Sequence, residues 1–467
     1  MSWPTMISRK GRRMRTRKYR VTAAVLGICT LLAAGFAFTQ TAPGPGSDAH
    51  PATATTLELY PLPVGADEAV QRGRYLAMAG DCAGCHTVDR RKPFAGGVPV
   101  ETPFGVIYTT NITPDPSHGL GKWSFGQFYT AMHEGIAPGH RYLYPAFPFP
   151  GFSKMPKEDV QDLWQYLKTI PAAAQENREN GLRFPYSFRP LMFFWRVLFF
   201  RADTYAPDAT QTAEWNRGAY LVEGPTHCAD CHSPRGFMGQ IKSGKSLSGG
   251  VVEGWWAPNL TGNQVDGLAD WSVEDLVQYL HTGSSPEAST LGPMGVVVED
   301  SLQFLTPADL KAMAVYLKSL DRSSIHTPLP GGGTPVDAAK GRQVYDDNCS
   351  SCHLWNGKGY PYAPGIPGIS PPLAGNPTVV DTDPRNVTMA VLAGSVEPNT
   401  IHRPLPYSMP GLSGFAQALT DDQIAEVVNY IRNSWGNKAS GISAEQVKAM
   451  RLARGIPEPV PAKPAKQ

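Results

Sequence analysis

Six of the seven cysteines fall into three copies of one pattern: CAGCH (Cys82, Cys85, His86), CADCH (Cys228, Cys231, His232) and CSSCH (Cys349, Cys352, His353). The seventh, Cys29, lies inside an apolar N-terminal run. Six cysteines in an exported chain would ordinarily suggest three disulfides, and C-x-x-C alone also suits a redox motif or a zinc site. None of these needs a histidine directly after the second cysteine in every copy. C-x-x-C-H is the attachment signature of c-type haem. Two thiols on one helical turn reach the vinyl groups along one edge of the macrocycle, and the next residue swings its imidazole beneath the iron. The pattern predicts three covalently bound haem c groups, ligated by His86, His232 and His353.

The motifs sit in a repeated context. RGRYLAMAGDCAGCH, RGAYLVEGPTHCADCH and GRQVYDDNCSSCH each read as a short amphipathic helix running into the motif. Farther on, the first two units share NITPDPSHGLGKWS and NLTGNQVDGLADWS, and the third has a looser PPLAGNP. Each unit closes on apolar residues at helical spacing, in KEDVQDLWQYLKTI from Lys157, PADLKAMAVYLKSL from Pro307 and DDQIAEVVNYIRNS from Asp421. The expectation is an all-α chain of three tandem cytochrome c domains at residues 66–175, 212–322 and 336–437. The 47 glycines and 44 prolines among 467 residues fit long loops wrapped around porphyrin. Trp123 and Trp271 suit either a haem edge or ordinary core packing.

The connecting segments differ in character. Residues 176–211 hold the stretch from Leu191 to Phe200, apolar except for Arg196 and too short to span a bilayer. It reads either as an amphipathic segment on a membrane or partner, or as a linker helix packed between domains. Residues 323–335 read as a flexible linker and 438–467 as an extended tail.

The net charge of +2 is unevenly spread. Residues 1–20 carry eight basic side chains and no acid, which leaves 34 basic against 40 acidic residues in the remainder. A mildly acidic body argues against nucleic-acid binding. Mean hydropathy of −0.25 excludes a polytopic membrane protein. The basic run precedes one apolar stretch of 18 residues, Val21 to Phe38, so residues 1–40 read as a signal peptide or an N-terminal anchor, and 41–65 as a tether. Both readings place the body outside the cytoplasm.

Electron-transfer haem usually takes a methionine sulfur opposite the histidine. Met409 in PYSMPGL and Met294 in LGPMGVV occupy corresponding loops before the closing helices of the third and second units. The first unit has Phe147 at the equivalent place, which leaves Met155 as its candidate, with His140, Met132 or an open iron as alternatives. His133 and His281 recur in matching turns and read as structural, as do the N-x-T sequences at Asn111 and Asn259.

With NITPD, LYPAFPF, SPRG and PPLAGNP around its three motifs, the sequence from about 66 to 437 resembles the triheme cytochrome c subunits of bacterial membrane-bound dehydrogenases, the alcohol, gluconate, sorbitol and fructose group. The resemblance implies a protein on the periplasmic face of the cytoplasmic membrane. It would take electrons from a catalytic dehydrogenase subunit, a quinoprotein or flavoprotein, and pass them to ubiquinone without catalytic residues of its own. It carries over Cys82, Cys85, Cys228, Cys231, Cys349 and Cys352 as haem attachments, His86, His232 and His353 as ligands, and Met294 and Met409 opposite them. Phe147 departs from the methionine of the alcohol-oxidising members. Two alternatives stand beside this reading: a haem enzyme acting at an open first haem, and a free periplasmic electron shuttle.

Overall fold

The computed structural model describes residues 59–264, 266–286, 288–320, 338–360, 370–395, 397–403 and 413–459. The expected signal or anchor over 1–40, the linker over 323–335 and Met409 lie outside the described residues.

Three crossed helix pairs organise the chain. Helix α1 (Glu68–Ala79) packs on α2 (Lys157–Leu167), α3 (Ala213–Glu223) on α4 (Pro307–Ser319), and α5 (Ala338–Asn348) on α6 (Asp421–Arg432). Local chemistry starts them where they start. Asp67 caps α1, Thr212 caps α3, Thr306 caps α4, and Thr420 forms a capping box with Gln423 on α6. Each closing helix then buries one stripe: Val160, Leu163 and Leu167 on α2, Leu310, Met313, Ala314 and Leu317 on α4, Ile424, Val427, Val428 and Ile431 on α6. Each crossing is made close by a glycine. A Cβ on Gly73 would lie 1.9 Å from the Asp162 carbonyl oxygen, one on Gly218 1.9 Å from that of Ala312, and one on Gly341 2.4 Å from that of Glu426. Each pair seats its own apolar cluster.

The chain is mostly helical, but the all-α expectation needs correction. Pro99–Thr102 pairs antiparallel with Gly105–Tyr108, and Ser248–Val252 with Trp255–Asn259. Gly181–Leu182 adds a third strand to the first hairpin, and Ile136–Ala137 pairs with Arg141–Tyr142. Strands of two to five residues around tight turns are too short to show a period of two in sequence. Two further expectations change. Leu59 and Tyr60, placed in the tether, are buried, and the Tyr60 hydroxyl donates to the Asp300 carbonyl at 2.8 Å. The tail folds back as helix Ala444–Ala453, where buried Arg451 pairs with Asp421 at 2.7 Å.

The aromatic stretch forms helix Leu191–Phe199. Met192 and Trp195 are buried against Phe149, while Phe194, Val197 and Leu198 are 60–67% exposed. The helix is therefore packed on one side and apolar to solvent on the other.

Polar side chains tie successive segments together. Tyr75 on α1 donates to Asp309 on α4 at 2.5 Å, and Arg217 holds the same carboxylate through two bonds of 2.8 Å. Asn386, which also opens an N-x-T sequence, exchanges two hydrogen bonds with the Trp256 backbone, at 2.9 and 2.8 Å.

Candidate functional site

Each C-x-x-C-H motif is a single tight turn that follows the first helix of its pair. The first lies in helix Cys82–His86, the second opens with a 3-10 turn at Cys228–Asp230, and the third closes in helix Ser350–His353. Backbone bonds wind the turns: the His232 amide donates to the Cys228 carbonyl and the His353 amide to that of Cys349, each at 3.0 Å. Histidine is thereby carried one turn beyond the first cysteine.

All three histidines are held in the same way. Nδ1 of His86 lies 2.6 Å from the Thr110 carbonyl oxygen, Nδ1 of His232 2.8 Å from that of Pro258, and Nδ1 of His353 3.1 Å from that of Pro371. A carbonyl can only accept, so Nδ1 carries the proton and Nε2 presents its lone pair. That is the tautomer of a metal-ligating imidazole, oriented by an outer hydrogen bond. The main chain of each histidine is gripped as well. The amides of Gly96, Gly249 and Gly359 donate to the carbonyls of His86, His232 and His353 at 2.7, 2.9 and 3.0 Å. All three glycines have positive φ, and a Cβ on any of them would come within 2.7 Å of a neighbouring atom. Burial lowers the pKa of each histidine, which favours the neutral, ligating form.

The donor set fits haem c better than the competing readings. All six cysteines are free, so no disulfide framework exists among them. Burial is the main cause pushing the Cys82, Cys231 and Cys349 thiols up to about 12, which keeps them protonated and disfavours thiolate chemistry. Among the described residues no three His, Cys, Asp or Glu side chains converge as a metal site. Asp81 Oδ1 and the Tyr166 hydroxyl, both beside the first motif, are buried without a hydrogen-bond partner among the described residues. Orphaned polar atoms of this kind fit a pocket completed by a cofactor with polar edges. The first two motifs also approach each other: burial first, then Asp81, Cys82 and Cys231, raise the Cys85 thiol pKa.

The candidate sixth ligands divide. Met294 sits in helix Pro293–Asp300 and packs against the cluster that includes Cys228. Met155 is 1% exposed in the cluster that includes Cys82 and Phe147. Met132 is buried in the same cluster, and His140 is exposed between two short strands. His133 has both ring nitrogens engaged, with Glu134 and Thr204. Asn111 and Asn259 fold their side chains onto Thr113 and Thr261, forming turns just after the carbonyls that receive His86 and His232. Those carbonyls and the three glycines went unseen in the sequence: a backbone acceptor has no side-chain signature, and the glycines stand at unequal distances from their histidines.

His281 faces His402, with ring centroids 3.7 Å apart. Burial and then the His402 ring push the His281 pKa below 6.5. The unfolded chain therefore binds that proton more readily, so stability rises with pH from the lowered value up to 6.5 and is lost as pH falls through this window. His402→Asn removes one of the two causes. Thermal melts between about pH 7 and about pH 5 should show a shallower acid-side loss in the variant. An unchanged profile would remove His402 from the account.

The sequence profile of the cytochrome c family matches residues 70–171 and 338–435. The chain is 39% identical to the cytochrome c subunit of the quinone alcohol dehydrogenase of Gluconacetobacter polyoxogenes, over 82% of this chain and 84% of that one. It is 38% identical to the gluconate 2-dehydrogenase cytochrome c subunit of Pantoea cypripedii, over 82% and 90%. It is also 42% identical to a nicotinate dehydrogenase subunit of Pseudomonas putida over 81% of its length, but spans only 32% of that longer protein. Motif turns, carbonyl-held imidazoles and these relatives lead to one family: the chain belongs to the cytochrome c subunits of dehydrogenases, electron-transfer proteins with covalently bound haem c.

Proposed function

We propose that this chain carries electrons one at a time from a catalytic dehydrogenase subunit, through three haem c groups, to ubiquinone at the periplasmic face of the cytoplasmic membrane. The observation that carries the reading is the threefold grip on His86, His232 and His353, each with Nδ1 on a backbone carbonyl. The haems supply the one-electron redox change. The chain's part would be to hold them: Cys82 and Cys85, Cys228 and Cys231, and Cys349 and Cys352 would supply the thioether bonds, and His86, His232 and His353 the iron-binding nitrogens. Met294 and Met409 would supply sulfur ligands at the second and third sites. Met155, buried in the same cluster as Cys82, supports a closed first site and a relay rather than small-molecule chemistry at an open iron.

Membrane contact is assigned to helix Leu191–Phe199, which presents Phe193, Phe194, Val197 and Leu198 to solvent. Exposed Arg183 and Arg201 stand before and after the helix in the chain, the helix carries no acid, and its own Arg196 turns inward onto Glu134 and Phe200. Exposed apolar side chains next to exposed arginine, with no acid among them, suit an anionic lipid surface. Among the described residues no helix is long and apolar enough to cross a membrane. Burying Val197 and Leu198 in lipid is worth roughly 3 kcal/mol or more. A chain starting at residue 41 with Val197→Asp and Leu198→Asp should bind anionic vesicles at least about a hundredfold more weakly, with its haem content intact. Equal binding by the variant in vesicle flotation would defeat the assignment. Co-purification from detergent-solubilised membranes tests the rest. A dehydrogenase that travels with this chain and reduces its haems on adding substrate is the expected result, and a chain recovered alone would favour a free shuttle.

A further inference from the structure

The second motif is built into the exposed aromatic face. The loop that leaves it, residues 233–240, is clamped at its base by Arg235. The Arg235 Nη2 donates to the Asp230 carbonyl at 2.5 Å and to its carboxylate at 2.8 Å, and Nη1 donates to the Gly239 carbonyl at 3.1 Å. Asp230 lies between Cys228 and Cys231, so one guanidinium ties the attachment turn to the far end of the loop. Met238 packs with Phe149, Met192 and Trp195, and its carbonyl accepts the Trp195 indole N–H at 3.0 Å. The neighbouring Phe237 is 85% exposed. An unbroken run of bonds and contacts thus joins Cys231 and His232 to helix Leu191–Phe199.

The other two motifs are placed differently. The loop after His86 turns inward: Arg90 pairs with Asp300 at 3.0 Å and Glu299 at 3.4 Å, and Phe94 is fully buried. The loop after His353 exposes Trp355 by 79%, its carbonyl held by the Trp435 indole at 3.1 Å. Among the described residues no hydrogen bond joins that loop to helix Leu191–Phe199.

We propose that electrons leave this chain from the second motif, to a quinone held in an anionic lipid surface, with the Phe237 loop as the contact next to that haem. This rests on the membrane relay above and assigns its exit. Exposed Arg183 and Arg201 on either side of an acid-free helix, with the nearby acids Glu134 and Asp203 already paired with Arg196 and Lys154, make the lipid the occupant. Reduction of one quinone to the quinol takes two electrons, which the haems would supply one at a time, and two protons from water. Arg235 and Trp195 are positioning residues: they hold the loop between the attachment turn and the lipid.

The test uses the full haem-loaded chain on vesicles of phosphatidylcholine and phosphatidylglycerol that contain a trace of diazirine-labelled phosphatidylcholine. After photolysis, peptide mass spectrometry should find lipid adducts on residues 191–199 and also on Phe237 or Met238, with Trp355 unlabelled. Adducts on 191–199 without any on 233–240 would overturn the exit while leaving the membrane reading intact. Absence of adducts from both segments would overturn both. A kinetic arm uses Phe237→Asp, with Trp195→Phe as the milder variant that keeps an aromatic side chain but loses the N–H donor and part of the indole's packing. Reoxidation of the reduced protein by a short-tailed ubiquinone in the vesicles should slow severalfold in Phe237→Asp and less in Trp195→Phe, with reoxidation by ferricyanide in solution unchanged. Equal quinone rates in both variants and the parent chain would overturn the proposal.

Discussion

Replacing Cys228 and Cys231 together by serine is expected to lower the covalent haem content from three groups per chain to two, read by intact mass and by the pyridine haemochrome. The middle segment makes this the informative place to look, because the cytochrome c profile covers the first and last units and passes over this one. Its geometry nevertheless repeats theirs. His232 rests on the Pro258 carbonyl as His86 rests on Thr110, Gly249 grips its backbone as Gly96 grips that of His86, and Gly218 crosses α4 as Gly73 crosses α2. Three attachment turns with one seat design should carry three groups. Loss of the middle group also removes apolar contacts from a cluster in which Cys228, Ala229 and Met294 are only partly buried. A cavity lined by such residues destabilises its surroundings, so the α3–α4 pair should become the first part of the chain to be cut by protease. A parent protein with only two haems, unaltered by the substitutions, would refute the middle site. His232→Ala separates attachment from ligation: it should keep three haems by mass while converting one to a high-spin spectrum, since the thioethers remain and the axial nitrogen is gone.

The parts legible in the sequence were those written in side chains at fixed spacing. C-x-x-C-H needs its residues within one turn, so attachment and ligation stand next to each other in the chain. The closing helices carry their caps and apolar stripes in about a dozen residues, and they occur at Lys157–Leu167, Pro307–Ser319 and Asp421–Arg432. The harder features depend on residues far apart in sequence or on the backbone alone. Thr110, Pro258 and Pro371 follow their histidines by 24, 26 and 18 residues and act only through carbonyl oxygens. The hairpins that deliver the first two are too short to show alternation. Helix Ala444–Ala453 was concealed by the proline-rich residues after it, although Ser443 and Gln446 form a capping box at its start. The recurrence of Asn111 and Asn259 is legible as a repeated loop feature, and their position beside the acceptor carbonyls explains why the loop repeats.

The closest helix contact in the middle unit sets the second large effect. Gly218→Ala should destabilise the chain by about 2–3 kcal/mol, although alanine is the better helix former by about 1 kcal/mol. The added methyl would lie 1.9 Å from the Ala312 carbonyl oxygen and 2.9 Å from the Tyr316 Cβ. Carbon and carbonyl oxygen approach no closer than about 3.3 Å in favourable contacts. The obstacle is backbone, which cannot rotate away, so α3 and α4 must separate by an ångström or more. Separation also strains the Arg217–Asp309 pair and the hydrogen bond between Tyr316 and Glu223, both of which bridge this crossing. Gly126 supplies the comparison within the same molecule. It lies in helix Phe125–Glu134, where an added Cβ meets nothing closer than the Ser124 hydroxyl oxygen at 3.9 Å. Gly126→Ala should therefore stabilise, by roughly 0.5 kcal/mol, through reduced backbone freedom in the unfolded chain. Urea denaturation followed at the haem absorbance of each variant reads both signs. Because Cys228 and His232 follow directly from α3, Gly218→Ala should also make the second haem the first to bind carbon monoxide when reduced. Equal midpoints for the two alanine variants would mean that the crossing yields without cost, and that close approach at Gly218 does not hold the second haem's seat.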